Sequence, residues 1–184
     1  MNRKTYEAEK GELLKNSYED WQREQLTTLL SDVQSEVLAL RPELQVSVAV
    51  WPVYKDKWGW QCRQGYYDFY EDSQMWLAEG YADALVPQLY LEPQCQWPER
   101  ITAIASDYVK QARGRMVIVA LAGDTRSFAS LSQGITRARE AGARGAAISS
   151  FGSLEEHDYG ADLVRGPFAR TAVVPPMPWR ESRP

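Results

Sequence analysis

Four apolar segments of strand length alternate with longer segments of helical periodicity, and this alternation limits the fold more than any other feature of the sequence. The strand-like segments read "QVSVAVW", "ALVPQLY", "RMVIVALAG" and "GAAISSF". Between them lie amphipathic segments such as "WPERITAIASDYVKQARG" and "RSFASLSQGITRAREAG". Apolar strands that alternate with such helices form a parallel sheet, and we expect helices to cover both of its faces.

Boundary signals support the predicted helices. Before the first strand, "SYEDWQREQLTTLLSDVQSEVLALRP" predicts a long helix that Ser17 caps with Asp20 as its reciprocal partner. Gly80 is expected to end a shorter helix around "SQMWLAEG". Four strand-helix units amount to half of an eight-stranded barrel, which typically needs about 250 residues. They also fit a small flavodoxin-like sheet, and composition does not choose between the two.

Length and composition exclude several classes of protein. The 184 residues suffice for one α/β domain, expected over residues 1–168, with a Pro-rich tail over 169–184. A net charge of −4 argues against a nucleic-acid partner. No apolar run approaches the roughly 20 residues that span a bilayer. The polar start "MNRKTYEAEKGELLK" has no signal-peptide pattern, although a piece of a longer protein would also lack one.

Two cysteines and one histidine make a metal centre improbable. Cys62 and Cys95 lack CxxC spacing, and His157 is expected to be a surface loop residue. No cofactor is expected either. The two thiols could be unpaired or could form a disulfide, and the spacing alone leaves both alternatives open.

Polar and aromatic side chains follow the predicted strands, where a parallel α/β fold binds its ligand. Trp and Tyr rings beside amides and carboxylates suit sugars, whose C–H faces stack on the rings and whose hydroxyls form directional hydrogen bonds. The candidates for substrate binding are Trp51, Tyr54, Trp58, Trp60, Gln88, Tyr90 and Ser150.

Each of these candidates has a structural alternative. Gln88 and Tyr90 could be polar residues inside a barrel, with the loop aromatics merely covering its mouth. Asp124 could cap the helix that begins near "RSFASL" instead of taking part in chemistry. The acidic residues around His157 fit a solvated loop.

Three sequence motifs resemble the glycosyl-hydrolase-like family ten, a group of bacterial (β/α)8-barrel proteins. A "V-S-x-A-V-x-P" strand corresponds to Val46–Pro52, a "W-L-x-E-G-x-x-D" helix to Trp76–Asp83, and a "V-P-Q-x-Y" strand to Val86–Tyr90. The closing "GPFARTAVVPPMPW" is similar as well. The order and spacing of these motifs are more specific than any one of them.

The resemblance implies barrel strands five to eight, without the acidic motif of the family's strand four. It implies hydrolysis of a glycan, with peptidoglycan as the candidate because some members cleave it, and a family often exported to the periplasm or cell envelope. Glycosidases usually use two carboxylates, for which Asp124 and then Glu92 are the candidates here. A half-barrel should pair with a second copy or with the missing N-terminal half. The loops after the first two predicted strands of this chain would lie side by side. Cys62 and Cys95 could therefore form a disulfide, which would suit an exported protein.

Two other functions remain as alternatives. A truncated barrel could bind carbohydrate, or act as a scaffold, without cleaving it. A flavodoxin-like binder of phosphorylated ligands would need a Gly- or Ser/Thr-rich loop after the first strand. That position holds "PVYKDKWGWQ", which is a poor match.

Overall fold

The computed structural model describes residues 3–9, 17–90, 95, 97–125 and 127–181. The strands are β1 (Ser47–Val50), β2 (Ala84–Leu89), β3 (Met116–Ala122) and β4 (Gly145–Ser149). The helices are α1 (Arg3–Glu9), α2 (Tyr18–Leu40), α3 (Gly65–Asp68), α4 (Ser73–Glu79), α5 (Trp97–Gln111), α6 (Phe128–Glu140), α7 (Phe151–Glu156), α8 (Gly160–Arg165) and α9 (Pro178–Glu181). None of the helices in these segments has both the length and the apolar composition needed to cross a membrane.

The four strands form one parallel sheet in the order β1-β2-β3-β4. Val48 pairs with Leu85, and Leu121 pairs with Ile148. A flavodoxin-like sheet reverses its strand order at a switch point, whereas this sheet follows the chain from one edge to the other. The alternation of strands and helices is confirmed, and the sequential order is consistent with half of a (β/α)8 barrel.

Helices cover one face of the sheet in the described residues, so the expectation that both faces are covered is wrong. Right-handed crossovers between neighbouring strands put successive helices on the same side. The covered face carries the core residues Val50, Leu85, Leu89, Val117, Val119 and Leu121, which pack against α4, α5 and α6. On the other face, Val86, Gln88 and Ile118 are only partly buried, while the neighbouring Ala84, Met116 and Ala120 are buried. We call this second side the bare face.

Large apolar side chains are exposed on helices that precede β1 and follow β4 in the chain. In α2, Leu29 and Leu40 are 59% and 81% exposed, and Val33 lies between them in the helical repeat. After β4, Phe151 is 72% and Val164 of α8 is 66% exposed. Exposed apolar surface, where it is contiguous, marks places where a protein packs against another segment or another molecule.

The predicted boundaries of α2 and α4 are confirmed. The Ser17 hydroxyl accepts a hydrogen bond from the Asp20 amide at 3.1 Å and donates one to the Asp20 carboxylate at 2.9 Å. Gly80 ends α4 with φ of 86°, a left-handed conformation that Gly adopts without steric cost. The Gln34 side-chain amide donates to the Gly80 carbonyl, and this bond fixes α2 against the end of α4.

The segment after residue 170 is attached to the amino-terminal end of the sheet by one buried carboxylate. Asp83 is 1% exposed and precedes β2. It accepts hydrogen bonds from the Trp179 indole at 2.9 Å, from Arg180 Nε at 3.0 Å and from the Val46 amide at 2.8 Å. Arg180 also donates to the Pro42 carbonyl at 2.6 Å. Burial alone would raise the pKa of Asp83, but the bonds from Arg180 and Trp179 outweigh it and hold this pKa below its usual value.

We expect Arg180→Ala to lower the free energy of unfolding by about 3 kcal/mol, because it leaves the Asp83 carboxylate buried without its cation. Urea denaturation at pH 7 measures this change. The free energy of unfolding of Arg180→Lys should lie between those of Arg180→Ala and the wild type, since an ammonium group does not reproduce the forked contact.

Arg170, an exposed residue of the same segment, provides the matched control, and Arg170→Ala should stay within about 0.5 kcal/mol of the wild type. The pKa of Asp83 is lowered in the folded state. Its contribution to the free energy of unfolding is therefore present above the unfolded pKa of about 3.9 and is lost as the pH falls below that value. Equal stability of Arg180→Ala and wild type at pH 7 would contradict the anchoring role.

Candidate functional site

The carboxyl edge of the sheet is defined here as the residues that end or directly follow the four strands. Gln88 lies on the bare face near the end of β2, and its side chain makes no hydrogen bond with other described residues. Tyr90 follows it and is partly buried, and Asp124 after β3 is exposed. None of these three side chains has a hydrogen-bond partner among the described residues, so they stay candidates for ligand binding.

The capping alternative for Asp124 is wrong. The N-cap of α6 is Ser127, whose hydroxyl accepts from the Ser130 amide at 3.3 Å. Sequence inspection chose the acidic residue because Asp is a preferred cap, but the helix begins later than expected. Glu92, the other predicted carboxylate, lies outside the described residues.

Two of the predicted substrate-binding residues make hydrogen bonds within the protein that account for them without a ligand. Ser150 caps α7, where its hydroxyl accepts from the Ser153 amide at 3.3 Å. The Tyr54 hydroxyl donates to Asp72 at 2.6 Å. Burial and this carboxylate both raise the pKa of Tyr54.

Trp51 directly follows β1 and stacks on Phe69, with 4.0 Å between ring centroids. The guanidinium of Arg63 lies 4.5 Å from the centre of the Phe69 ring. The Trp51 carbonyl accepts from the Tyr108 hydroxyl at 2.9 Å. Burial raises the pKa of Tyr108, which keeps this hydroxyl protonated as a donor. The first loop is thus fixed at its base by a buried hydrogen bond to α5.

Trp58 and Trp60 stack on each other, with 4.3 Å between ring centroids and 12° between planes. The guanidinium of Arg100 lies 4.4 Å from the Trp60 centroid. Since Trp58 occupies one face of Trp60, Arg100 covers the other. The Asp56 carboxylate accepts from the amides of Trp58 at 3.0 Å and Gln61 at 2.8 Å. Burial would raise the pKa of Asp56, but these amide bonds hold it below its usual value.

Cys62 and Cys95 form a disulfide, with 6.1 Å between their Cα atoms. The bond connects the loop after β1 to the segment after β2, as the adjacency of the two loops allows. Arg100 also donates to Cys62 Sγ at 3.2 Å. The loop over residues 51–64, which we call the aromatic loop, is therefore linked both covalently and through Arg100 to the start of α5.

Glu71 is a residue that sequence inspection missed. It lies between α3 and α4, not directly after a strand, yet its carboxylate accepts from the Trp51 amide at 2.8 Å. Burial raises the pKa of Glu71, and the single amide bond lowers it by less. The sequence offers no signal for this, because the burial of Glu71 is produced by folding of the loop against Trp51.

A cleft of about 450 Å³ is lined by residues of α2 and of the segment from Tyr66 to Met75. It separates α2 from the loop before α4 and is lined by polar side chains that include Arg23, Tyr66 and Asp72. Arg23 donates to the Tyr66 carbonyl at 3.1 Å across it. The described part of the chain brings together no group of three or more side chains that could hold a metal ion.

Comparison with known proteins adds the family. The model of a family described as glycosyl hydrolase-like 10 matches residues 1–132, which include β1 to β3 and the aromatic loop. The chain belongs to this family. The match confirms the resemblance given by the motifs, so this is a glycosyl-hydrolase-like domain. No curated protein matches the chain.

Removal of the disulfide should destabilise this glycosyl-hydrolase-like domain. The cysteines are 33 residues apart, and closing a loop of that length corresponds to about 3–4 kcal/mol of chain entropy. We expect Cys62→Ser combined with Cys95→Ser to lower the free energy of unfolding by about that amount. Urea denaturation with and without dithiothreitol measures it, and the double variant should not respond to the reductant. Two titratable thiols in the unreduced, denatured wild type would contradict the bond.

Proposed function

We propose that this chain is part of a glycoside hydrolase catalytic domain and that a glycan binds at the carboxyl edge of its sheet. One observation carries the proposal. In a member of a glycosyl-hydrolase-like family, Gln88, Tyr90 and Asp124 lie at the carboxyl edge with no hydrogen-bond partner among the described residues. Ligands of parallel α/β folds bind at this end of the strands.

The chemistry of these side chains suits a sugar. The Gln88 amide offers both a donor and an acceptor to hydroxyl groups, and the Tyr90 ring offers an apolar face with a polar end. Trp51 borders the same edge from β1. Trp58 and Trp60 already stack on each other, and Arg100 covers the other face of Trp60, so they would support the floor of the site through the loop that carries them.

Hydrolysis requires two carboxyl groups around the scissile bond. Asp124 is the proposed carboxylate of β3, and Glu92 is a second candidate. Peptidoglycan is the proposed glycan, which the family resemblance favours over other polysaccharides. The alternative function is a carbohydrate-binding or scaffold protein that does not cleave its ligand. Glycan binding without release of new reducing ends would favour that alternative.

The chain should act together with further strands. β1 and β4 are edge strands of the described sheet, and apolar residues are exposed on helices that precede β1 and follow β4 in the chain. If the four strands correspond to strands five to eight of a barrel, a second copy or a segment with strands one to four would close it. Two copies related by a two-fold axis would place β4 of each beside β1 of the other.

Gln88→Ala should weaken binding of a peptidoglycan tetrasaccharide roughly five- to tenfold, because a hydrogen-bonding amide at the carboxyl edge is lost. Tryptophan fluorescence titration measures the affinity. Gln133→Ala, on the exposed side of α6, is the matched control and should bind like the wild type. Equal affinity of both variants would remove Gln88 from the binding site.

Self-association is a separate prediction. Light scattering should give a mass near 2 × 21.0 = 42.0 kDa for the wild type. Leu29→Glu should shift the mass toward 21.0 kDa, because it puts a charge into the exposed apolar stripe of α2. Gln133→Glu adds the same charge to α6 and should leave the mass unchanged. A wild-type monomer at every concentration would contradict completion of the sheet by a second copy.

A further inference from the structure

Resting on the proposed function, we infer that Glu71 is the proton donor to the glycosidic oxygen of the bound glycan. Asp124 was selected from the sequence because it follows a strand, whereas Glu71 is identified by where the fold puts its carboxyl group. The two residues come from different loops, and glycosidases usually use two carboxyl groups, one of which donates the proton.

The carboxyl group of Glu71 lies at the carboxyl edge although the residue is remote from any strand in sequence. Its Oε2 accepts from the Trp51 amide at 2.8 Å, directly after β1. The Glu71 amide in turn donates to the Gly65 carbonyl at 2.9 Å. A Cβ atom on residue 65 would lie 3.0 Å from Glu71 Oε2 and 3.3 Å from the Trp51 Cβ atom. The glycine therefore leaves the space that the carboxyl group occupies.

The two oxygens of Glu71 have different environments. Oε2 is fixed by the Trp51 amide, whereas Oε1 makes no hydrogen bond with the described residues and is not among their fully buried polar atoms. One oxygen thus orients the group, while the other is not fully buried and is unpaired among the described residues. A proton donor needs this arrangement, because its acidic oxygen must reach the substrate in a fixed direction.

The surroundings of Glu71 favour its protonated form. Burial raises its pKa, and no described cation forms an ion pair with it. Asp72 and Asp107 are engaged by other side chains, and the Arg63 guanidinium lies over an aromatic ring. The buried hydroxyl of Tyr108 is the neighbouring titratable group coupled to Glu71. A carboxyl group with a raised pKa is suited to act as a general acid near neutral pH.

The proposed step balances as follows. The bond between the anomeric carbon and the glycosidic oxygen breaks, and its electron pair stays on the oxygen. That oxygen takes the proton from Glu71 and leaves as an alcohol, so Glu71 becomes a carboxylate. Water supplies the hydroxyl group that bonds to the anomeric carbon, and its other proton restores Glu71 through the solvent. One water molecule is consumed for each bond cleaved.

A purely structural Glu71 would only satisfy the Trp51 amide beside an edge strand. Glu71→Gln separates the two roles, because the amide oxygen of Gln still accepts that hydrogen bond while its amide group does not titrate. Glu79→Gln is the matched control. Glu79 is 56% exposed at the opposite end of α4, where it faces Arg113 at 3.8 Å.

Binding of a peptidoglycan tetrasaccharide to the full chain, measured by calorimetry between pH 4 and 8, tests the inference. If the glycan binds protonated Glu71, the pKa rises on binding and affinity is highest below the pKa of the free carboxyl. Above it, wild-type affinity should fall by up to about tenfold per pH unit. Glu71→Gln should bind with an affinity that does not change in this way, and Glu79→Gln should follow the wild type.

Each outcome has a distinct meaning. The same pH dependence in wild type and Glu71→Gln would overturn the role of Glu71 and leave glycan binding intact. Hydrolysis by the wild type that persists at full rate in Glu71→Gln would overturn it as well, since loss of a general acid lowers rates by about 10²–10⁴-fold. Failure of the wild type to bind any glycan would overturn the proposed function, and the inference with it.

Discussion

Right-handed crossovers between neighbouring parallel strands place α4, α5 and α6 on the same side of the sheet, and the other features of the molecule depend on this arrangement. The covered side holds the apolar core, whereas Val86, Gln88 and Ile118 stay partly buried on the bare face. Edge strands with free amides and exposed apolar residues both favour further burial. The same geometry that leaves the described sheet open keeps its carboxyl edge accessible.

The two ends of the sheet differ in how their polar side chains are paired. At the amino-terminal end, Asp83 is saturated by Arg180, Trp179 and the Val46 amide, so an acidic residue of the "WLAEGYAD" motif acts in architecture and not in chemistry. At the carboxyl end, Gln88 and Asp124 have no such partners among the described residues. In barrel-type folds, residues at the amino-terminal end generally serve stability and those at the carboxyl end function.

Local signals in the sequence predicted the strands and helices, whereas features that depend on tertiary contacts could not be predicted from it. Apolar periodicity and the caps at Ser17 and Gly80 suffice for the order of strands and helices, because these signals act over a few residues. The single covered face was missed, since a buried strand reads the same in a barrel and in a doubly wound sheet. The disulfide remained one of two alternatives until the loops after β1 and β2 were found side by side. Mutual stacking of Trp58 and Trp60 likewise depends on the path of the loop, which residue types do not specify.

The carboxyl groups of the loop between β1 and α4 show why acidic residues cannot be ranked from sequence alone. Asp56 accepts amide hydrogen bonds that hold its pKa below the usual value and fix the turn beneath Trp58. Asp72 accepts from Tyr54. Among the described carboxyl groups, Glu71 is the one whose pKa is raised, because it is buried with a single amide donor. The pKa values of Asp56 and Glu71 are thus shifted in opposite directions through the number of donors that the fold aims at each carboxyl group. Opposed shifts of this kind separate a proton donor from carboxylates that remain ionised, and they exist only after the loop has closed over Trp51.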